Sequence, residues 1–339
     1  MTSIASNRRF VLARLPEGLP RDDDFALIEE PALPLADGEV RLLTRYLSVD
    51  PYQRNWMAGG GNYGVPAAAG TTVIGRAIGE VVESRASGWS RGEFALAGSG
   101  WQTAPVVAAS MLERIDPALG PLPAWLSVLG STGLTAWVGM TDIGRPGPGE
   151  TVVVSAAGGA VGSIAGQLAR IAGARVVGVA GAADKCARVV AGYRFDHCVS
   201  HADPDLAGAL ARACPRGIDV YFDNTGGRVT DAALQQLARG ARIALCGLVA
   251  EYGAPAVHGH DWRPLLAQQA LVQGFSVRRN LHRSGEYRAL AAAWIRSGEL
   301  RHVEHVVDGF ERTPALFRDL LEGKTFGKAL VRVAAGPAG

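Results

Sequence analysis

Cysteine is scarce in this sequence and is confined to one half of it. All four cysteines, Cys186, Cys198, Cys214 and Cys246, lie in the second half of the 339 residues, and no two form a C-x-x-C pair. This spacing indicates neither a disulfide framework nor a zinc cluster. We therefore interpret the cysteines as free, mostly buried thiols in a reducing compartment.

An excess of charge of one sign and a long hydrophobic run are also missing. The 34 Lys and Arg against 32 Asp and Glu give a formal net charge of +2, so we expect no nucleic-acid partner. The N-terminus lacks the apolar run of a signal peptide. The uncharged stretch Leu119 to Thr141 contains two prolines, which argues against a bilayer span. We expect a cytoplasmic protein without membrane association.

Glycine is abundant, and its distribution accompanies a change in pattern along the chain. The 44 glycines of 339 residues are about twice the usual share. Up to about residue 120, short extended runs broken by Pro and Gly predict a β-rich domain. Beyond about residue 122, short Val- and Ile-rich strands alternate with helical segments, which is typical of a doubly wound parallel sheet. The fold class predicted is therefore α/β with a second, β-rich domain.

Individual elements of the second half follow from the same pattern. Predicted strands include TVVVS, RVVGVA, DHCVS, DVYFDN, ARIALCG and LVQGFSV, and predicted helices cover about 160–173, 184–192, 205–213, 228–239 and 285–297. After these helices, strand-like HVVDGF and KALVRV repeat the character of the first domain. The chain is therefore expected to return to that domain.

A glycine-rich turn follows the first predicted parallel strand. TVVVS at 151–155 runs into AAGGAVG, where Ala156, Gly159 and Gly162 have the spacing of the dinucleotide fingerprint, with Ala160 and Val161 opening the next helix. Small residues there permit the tight turn, the approach of backbone N–H groups to a pyrophosphate, and close helix–strand packing. The alternative is a tight packing turn that holds no ligand.

The end of the next strand discriminates between the two nicotinamide cofactors. An NAD site usually carries Asp or Glu there, but RVVGVA at 175–180 is followed by Gly181, with Lys185 shortly after. A missing carboxylate removes repulsion of a 2′-phosphate, and a lysine supplies a positive charge. The sequence therefore favours NADP(H), the alternative for Lys185 being a solvated lysine in the first turn of a helix.

Several motifs in order along the chain carry a resemblance to a known family. They are YLSVDPYQRNWM at 46–57, SGW at 99–101, GLTAW at 133–137, AAGGAVG at 156–162, VVGVAGAADKC at 176–186, CPRGIDVYFDNTGG at 214–227, CGLVAEYG at 246–253 and KTFGK at 324–328. With these the chain resembles the zinc-independent medium-chain dehydrogenase/reductases, in particular the leukotriene B4 12-hydroxydehydrogenase / prostaglandin reductase group and its bacterial curcumin reductase-like subgroup.

The resemblance implies an organisation and an activity. It implies a GroES-like catalytic domain at 1–121 and 298–339, a Rossmann domain at 122–297, a cofactor cleft between them, and a homodimer. It also implies NADPH-dependent reduction of the carbon–carbon double bond of small α,β-unsaturated carbonyl compounds. Zinc-dependent relatives have an early cysteine ligand, whereas no cysteine here precedes Cys186, so a catalytic zinc site of that type is excluded.

The resemblance also supplies candidate site residues. Tyr252 is the candidate for orienting or protonating the reaction intermediate, and Tyr52 is the second catalytic candidate; the alternative for Tyr252 is a tyrosine capping the sheet edge. Substrate candidates besides Tyr52 are Arg54, Tyr63 and Trp101, although aromatic residues in a β-rich domain are often core. Cofactor candidates, besides the glycine turn, are Gly181, Lys185, His201, Asn224, Cys246, Gly247, Tyr252 and Thr325.

Other functions were weighed on the same residues. His258 and His260, the latter followed by Asp261, lie in a Pro/Gly-rich loop. No third ligand stands at a usable spacing from this cluster, so no metal is expected. No G-x-S-x-G elbow is present, which argues against a serine hydrolase. A non-catalytic NADP(H)-binding module and a quinone or carbonyl oxidoreductase remain as alternatives.

Overall fold

The structure is a computed structural model that describes residues 4–60, 64–252 and 259–333. Its strands are β1 (Ser6–Leu12), β2 (Phe25–Pro31), β3 (Glu39–Ser48), β4 (Ala77–Ser84), β5 (Phe94–Ala97), β6 (Val106–Ala108), β7 (Glu113–Arg114), β8 (Thr151–Ser155), β9 (Arg175–Ala180), β10 (His197–Ser200), β11 (Ile218–Asp223), β12 (Leu237–Leu245), β13 (Leu271–Gly274), β14 (Glu304–Asp308) and β15 (Lys328–Arg332). Its α-helices are α1 (Tyr52–Met57), α2 (Ser131–Val138), α3 (Ala160–Ile171), α4 (Ala183–Tyr193), α5 (Leu206–Ala213), α6 (Gly227–Leu234), α7 (Arg263–Gln268), α8 (Ser284–Ser297) and α9 (Thr313–Leu321).

The chain divides into two compact units. The β-rich unit comprises the described residues up to Leu126, Glu304–Thr325 and the residues from Ala329 onward, and the parallel-sheet unit comprises Ser127–Val303 and Phe326–Lys328. The boundaries expected from the sequence lie a few residues from these and stay a prediction. The short segment Phe326–Lys328 belongs to the parallel-sheet unit although the chain around it belongs to the other.

The β-rich unit is built on antiparallel pairing. Strands β14, β15, β3, β4, β5 and β7 lie side by side in that order, β6 also pairs with β3, and β1 pairs with β2. Its core is aromatic: the indole of Trp101 is fully buried and stacks on Phe25, with Phe10 and Phe317 at its edges. Large aromatic side chains contribute most of the apolar area that holds such a small core together.

The second unit contains a parallel sheet with strand order β10-β9-β8-β11-β12-β13. All five residues of β8 are buried, as expected for a central strand covered by helices on both faces. Helix α5 and helix α6 supply Leu206, Leu210 and Ala233 to the core on one side. In this order β8 and β11 are neighbours at the point where strand succession reverses, and ligands bind at that point beyond the carboxyl ends of the strands.

Most predicted elements are confirmed, and one is wrong. The helix predicted over 228–239 ends at Leu234, and β12 begins already at Leu237. The first part of β12 pairs with β11 at Ile218, and the register then shifts before Val220 pairs with Arg242. Because of that shift the segment lacks the strict alternation by which a strand is recognised in sequence.

Two expectations concern a membrane and a second copy of the chain. None of the helices in the described ranges is long and apolar enough to cross a membrane. Strand β13 is one edge of the parallel sheet as described, and a homodimer through that edge stays a prediction.

Candidate functional site

The glycine turn connects the end of β8 to the start of α3. Ala156 has a φ of +49°, and Gly159 donates its N–H to the Ala156 carbonyl oxygen at 2.9 Å. A Cβ on Gly162 would lie only 2.4 Å from that same oxygen, so no side chain fits. The first turn of α3, with Ala160 and Val161 half-buried, therefore begins directly against the strand end, with its free N–H groups available to an anion.

The segment Phe326–Lys328 supports this turn from within the same unit. Gly327 donates its N–H to the Gly158 carbonyl at 2.7 Å. The Phe326 ring stacks parallel on Tyr193 at 5.5 Å, and the Arg188 guanidinium lies 3.8 Å from the Phe326 ring centre. Sequence reasoning used KTFGK only for the family resemblance. Gly327 has a φ of +78°, a conformation that favours glycine. In the sequence, the only signal for this contact was a glycine directly after an aromatic residue.

Three candidates for the 2′-phosphate meet around Gly181. A Cβ built on Gly181 would lie 3.4 Å from Lys185 Cδ and 3.9 Å from His201 Nε2. His201 is exposed, and its N–H donates to the Ala180 carbonyl at 2.8 Å. Desolvation lowers the pKa of Lys185, Asp184 opposes that shift, and Arg188 adds to it. A lysine and an imidazole therefore flank Gly181, which directly follows β9.

Asp223, at the carboxyl end of β11, is a functional residue that the sequence analysis missed. Its carboxylate is fully buried and accepts hydrogen bonds from five groups, namely the hydroxyls of Ser155, Tyr221 and Thr230 and the N–H groups of Thr225 and Gly226. It thus holds the turn that follows β11 against the end of β8. An acidic residue directly after the hydrophobic run VYF of β11 was the signal for it.

Asn224 lies next to this carboxylate, with its side chain engaged in the same turn. Its Nδ2 donates to the Ser155 carbonyl at 2.7 Å, and its N–H donates to Ser155 Oγ at 2.8 Å. Cys246 and Gly247, beyond the end of β12, both donate their N–H groups to the Asp223 carbonyl. The ends of β8, β11 and β12 are therefore connected by hydrogen bonds into one rim.

Tyr252 reaches back to this rim. Its hydroxyl oxygen lies 3.4 Å from the position of a Cβ on Gly247, and the side chain is half-buried. The preceding Glu251 accepts the N–H of Gly227, at the start of α6, at 3.0 Å. That bond attaches the turn carrying Tyr252 to the rim.

The histidine cluster considered for a metal has a different set of contacts. His260 lies between two carboxylates, with Nδ1 2.6 Å from Asp231 and Nε2 3.6 Å from Glu251, while Asp261 pairs with Arg263. His258 lies outside the described residues. Among the residues that the structure describes, no three His, Cys, Asp or Glu are grouped to hold a metal ion.

The candidate residues of the β-rich unit differ in how deeply their side chains are buried. Tyr52 is half-buried at the start of α1, and Tyr63 lies outside the described residues. Arg54 is buried, with Nε donating to the Gly18 carbonyl at 2.9 Å. Trp101 has no exposed surface to offer a substrate, so we leave it and Arg54 out of the proposed site. Thr325 is buried in this unit.

Two buried side chains of the DPYQRNW segment bond within the β-rich unit. Gln53 is fully buried, donates to the Ile74 carbonyl at 2.7 Å and accepts the Asp50 N–H at 2.9 Å. Trp56 donates its indole N–H to the Val65 carbonyl at 2.7 Å. Both side chains therefore bond to the backbone of their own unit.

A chain that combines a β-rich unit with a parallel-sheet unit carrying a glycine fingerprint has the organisation of a two-domain, dinucleotide-dependent oxidoreductase. Residues 8–115 match a family model described as the N-terminal domain of oxidoreductase, and residues 160–297 match one described as zinc-binding dehydrogenase. NADPH-dependent curcumin reductase of Escherichia coli is 41% identical over 97% of both chains, and bovine prostaglandin reductase 1 is 38% identical over 93% of this chain and 95% of its own. The chain belongs to the prostaglandin reductase and curcumin reductase group of the medium-chain dehydrogenase/reductases.

Solved structures agree with this assignment. Crystal structures of CurA from Vibrio vulnificus, one of them in complex with NADPH, superpose with TM-scores of 0.92 and 0.90 at 38% identity and cover 97% of this chain. They cover 99% and 100% of the CurA chains. A quinone oxidoreductase from Pseudomonas syringae, at 15% identity and a TM-score of 0.76, shares the fold.

Proposed function

We propose that the protein is an NADPH-dependent reductase of the carbon–carbon double bond of α,β-unsaturated ketones and aldehydes. The observation that carries the proposal is the Tyr252 hydroxyl beside Gly247 at the rim of the sheet, where a dinucleotide fold presents its reactive end. The names of the relatives support it, because they include NADPH-dependent curcumin reductase of Escherichia coli and 2-alkenal reductase (NADP(+)-dependent) of tobacco.

The residues at the rim fit NADP(H). The gap that Gly162 leaves against the Ala156 carbonyl lets the first turn of α3 offer its N–H groups to a pyrophosphate. Lys185 and His201, on either side of Gly181, would hold the 2′-phosphate by charge and hydrogen bonding. When bound, NADPH supplies the hydride that is added to the β-carbon of the substrate. Thr325 and Asn224 remain proposed cofactor residues.

Tyr252 supplies the proton chemistry in this proposal. A phenol hydroxyl is a hydrogen-bond donor, and we propose that it donates to the oxygen where enolate charge develops. The proton that completes the reaction goes to the α-carbon, giving a saturated ketone or aldehyde. Tyr52 is proposed to help to orient the substrate.

A substrate panel with product identification tests the activity. The purified protein is given enones, 2-alkenals and curcumin with NADPH or NADH, and we expect saturated carbonyl products formed faster with NADPH. An allylic alcohol as product would instead indicate carbonyl reduction. Thermal stabilisation by NADPH with no turnover across the panel would indicate the non-catalytic binding module.

Removal of the Tyr252 hydroxyl tests its role. Tyr252→Phe should lower kcat by about 100-fold, the usual contribution of a positioned proton donor, and leave the NADPH dissociation constant within about twofold. Tyr46→Phe, which removes a hydroxyl in β3, is the matched control and should retain wild-type kcat. A Tyr252→Phe enzyme with unchanged kcat would contradict the role.

A further inference from the structure

Two of the four cysteines contact each other in the parallel-sheet unit. Cys186 lies in the first turn of α4 and Cys198 lies in β10. Their sulfur atoms are 2.9 Å apart, with Cys198 Sγ donating to Cys186 Sγ. Both are free cysteines in the structure. The 12-residue separation in sequence carries no disulfide signal, so only the packing of α4 on β10 reveals the pair.

A glycine on the neighbouring strand makes room for these sulfur atoms. Cys198 pairs with Gly178 of β9, and a Cβ on Gly178 would lie 3.3 Å from Cys198 Sγ and 2.8 Å from the Ala157 Cβ. Any larger residue at 178 would push against Cys198. The next residue, Val199, packs into the core on the opposite face of the sheet, which fixes Cys198 on the face that meets α4.

The two thiols differ in a way that suits a nucleophile and its partner. The hydrogen bond from Cys198 lowers the pKa of Cys186, whereas that same contact and desolvation raise the pKa of Cys198. Cys186 is itself buried, but Cys198 is only half-buried and lies in β10, an edge strand of the parallel sheet. A small oxidant therefore reaches the pair from the Cys198 side, and the lowered pKa favours the thiolate on Cys186.

We propose that Cys186 and Cys198 form a reversible disulfide with a hydroperoxide as oxidant, and that this bond weakens binding of the 2′-phosphate of NADP(H). The Cys186 thiolate attacks one peroxide oxygen, the O–O bond breaks and an alcohol leaves, so that Cys186 becomes a sulfenic acid. The Cys198 sulfur then attacks the Cys186 sulfur, and water leaves with the Cys198 proton. Two thiols and one hydroperoxide thus give one disulfide, one alcohol and one water.

The effect on the cofactor rests on the proposed function and on the position of the pair. Lys185 precedes Cys186 in the chain, and Ser200 and His201 follow Cys198 closely, with Ser200 Oγ donating to the Gly181 carbonyl. A disulfide has a sulfur–sulfur distance of about 2.05 Å, so bond formation draws the first turn of α4 toward β10. That movement changes the spacing of Lys185 and His201 around Gly181.

Peptide mapping and cofactor titration of the full-length protein test both halves of the proposal. The reduced protein is treated with hydrogen peroxide in the absence of enones, because thiolates add to their β-carbon. We expect the protein mass to fall by two hydrogen atoms and one linked peptide pair containing Cys186 and Cys198 to form. Dithiothreitol should reverse both changes. The NADPH dissociation constant should rise at least about fivefold on oxidation, in the usual range of coupling between sites, with the NADH constant changed less.

Variants separate the pair from the other thiols. Cys186→Ser and Cys198→Ala should each abolish the linked peptide and the change in NADPH affinity, whereas Cys214→Ala, at a buried cysteine elsewhere in the unit, should retain both. Sulfinic acid at Cys186 without a linked peptide would overturn the disulfide, and a disulfide with unchanged NADPH affinity would overturn the coupling. Because mapping requires no cofactor, failure of the reduced protein to bind NADPH would count against the proposed function alone.

Discussion

Ala156 occupies a backbone position that favours glycine. Its φ of +49° lies in the left-handed region, which costs a residue with a Cβ about 1–2 kcal/mol. Glycine occupies the first position of the fingerprint for this reason. The chain therefore keeps the turn geometry with a residue that is strained there.

Ala156→Gly should consequently raise the free energy of unfolding by about 1 kcal/mol, the relief of strain being partly offset by the greater entropy of glycine in the unfolded chain. Urea denaturation measures the change. Ala157→Gly is the matched control, because Ala157 is fully buried without a positive φ, and this substitution should destabilise. A destabilised Ala156→Gly variant would show that the Cβ makes a contact worth more than the strain.

Lys185 is the residue on which the cofactor preference depends in our proposal. Lys185→Ala should weaken NADPH binding by about tenfold, the value of one charge-assisted hydrogen bond, and leave NADH binding within about twofold. Lys324→Ala removes an exposed lysine that pairs with Glu322 and serves as the control. Equal affinity of the wild type for NADPH and NADH would refute the role.

The pH dependence of NADPH binding tests the same lysine. Desolvation lowers the pKa of Lys185 below its ordinary value of 10.5, so its positive charge is lost at a lower pH than that of an ordinary lysine as the pH rises. NADPH affinity should therefore decrease on the alkaline side, while the affinity of Lys185→Ala and that for NADH should not show this decrease. Fluorescence titration at a series of pH values measures it.

At the level of elements, the turn after β11 depends on one buried carboxylate. Asp223 accepts hydrogen bonds from five groups on three segments. A buried acceptor that satisfies several donors is costly to remove, because each donor is left without a partner and without water. The geometry of the rim, including Asn224 and Gly247, follows from this carboxylate.

Asp223→Ala should therefore destabilise the protein by about 4 kcal/mol. Asp223→Asn should cost less, because its oxygen still accepts at one position and the Thr230 hydroxyl can turn to accept from the amide. Asp219→Ala, in the same strand, removes an acceptor for the Thr151 N–H alone and should cost about 1 kcal/mol. Equal losses for Asp223→Ala and Asp219→Ala in urea denaturation would contradict the argument.

At the level of the whole molecule, the chain leaves one unit and returns to it. Phe326–Lys328 belongs to the parallel-sheet unit while β15 continues into the sheet of the β-rich unit, where Leu330 pairs with Ser48. A single segment thus supplies both the Gly327 contact to the glycine turn and a strand of the other sheet. Cofactor binding at that turn is consequently expected to stabilise the folded chain.

NADPH at 100 times its dissociation constant should raise the free energy of unfolding by about 2.7 kcal/mol and the melting temperature by about 5 °C. The same concentration of NADH should give a smaller shift, as should NADPH with Lys185→Ala. Differential scanning fluorimetry measures these shifts. Identical shifts for the two cofactors would argue against a 2′-phosphate site.

The amino-acid sequence was sufficient for the features that depend on short stretches of chain. Alternation of Val-rich strands with helices predicts the parallel sheet, small residues at Ala156, Gly159 and Gly162 predict the turn, and the absence of an acid after β9 favours NADP(H). Each is local, because strand and helix propensity and turn sterics act within a few residues.

Only the tertiary structure decided the contacts between residues that are distant in sequence. The sulfur contact of Cys186 with Cys198, the bond from Gly327 to Gly158 and the bond from Ser155 to Asp223 all depend on which elements are neighbours. The premature end of the helix before β12 has the same origin, since pairing with β11 outweighs the local preference of that segment. Strand order is set by burial of the whole sheet, and no short window of sequence contains that information.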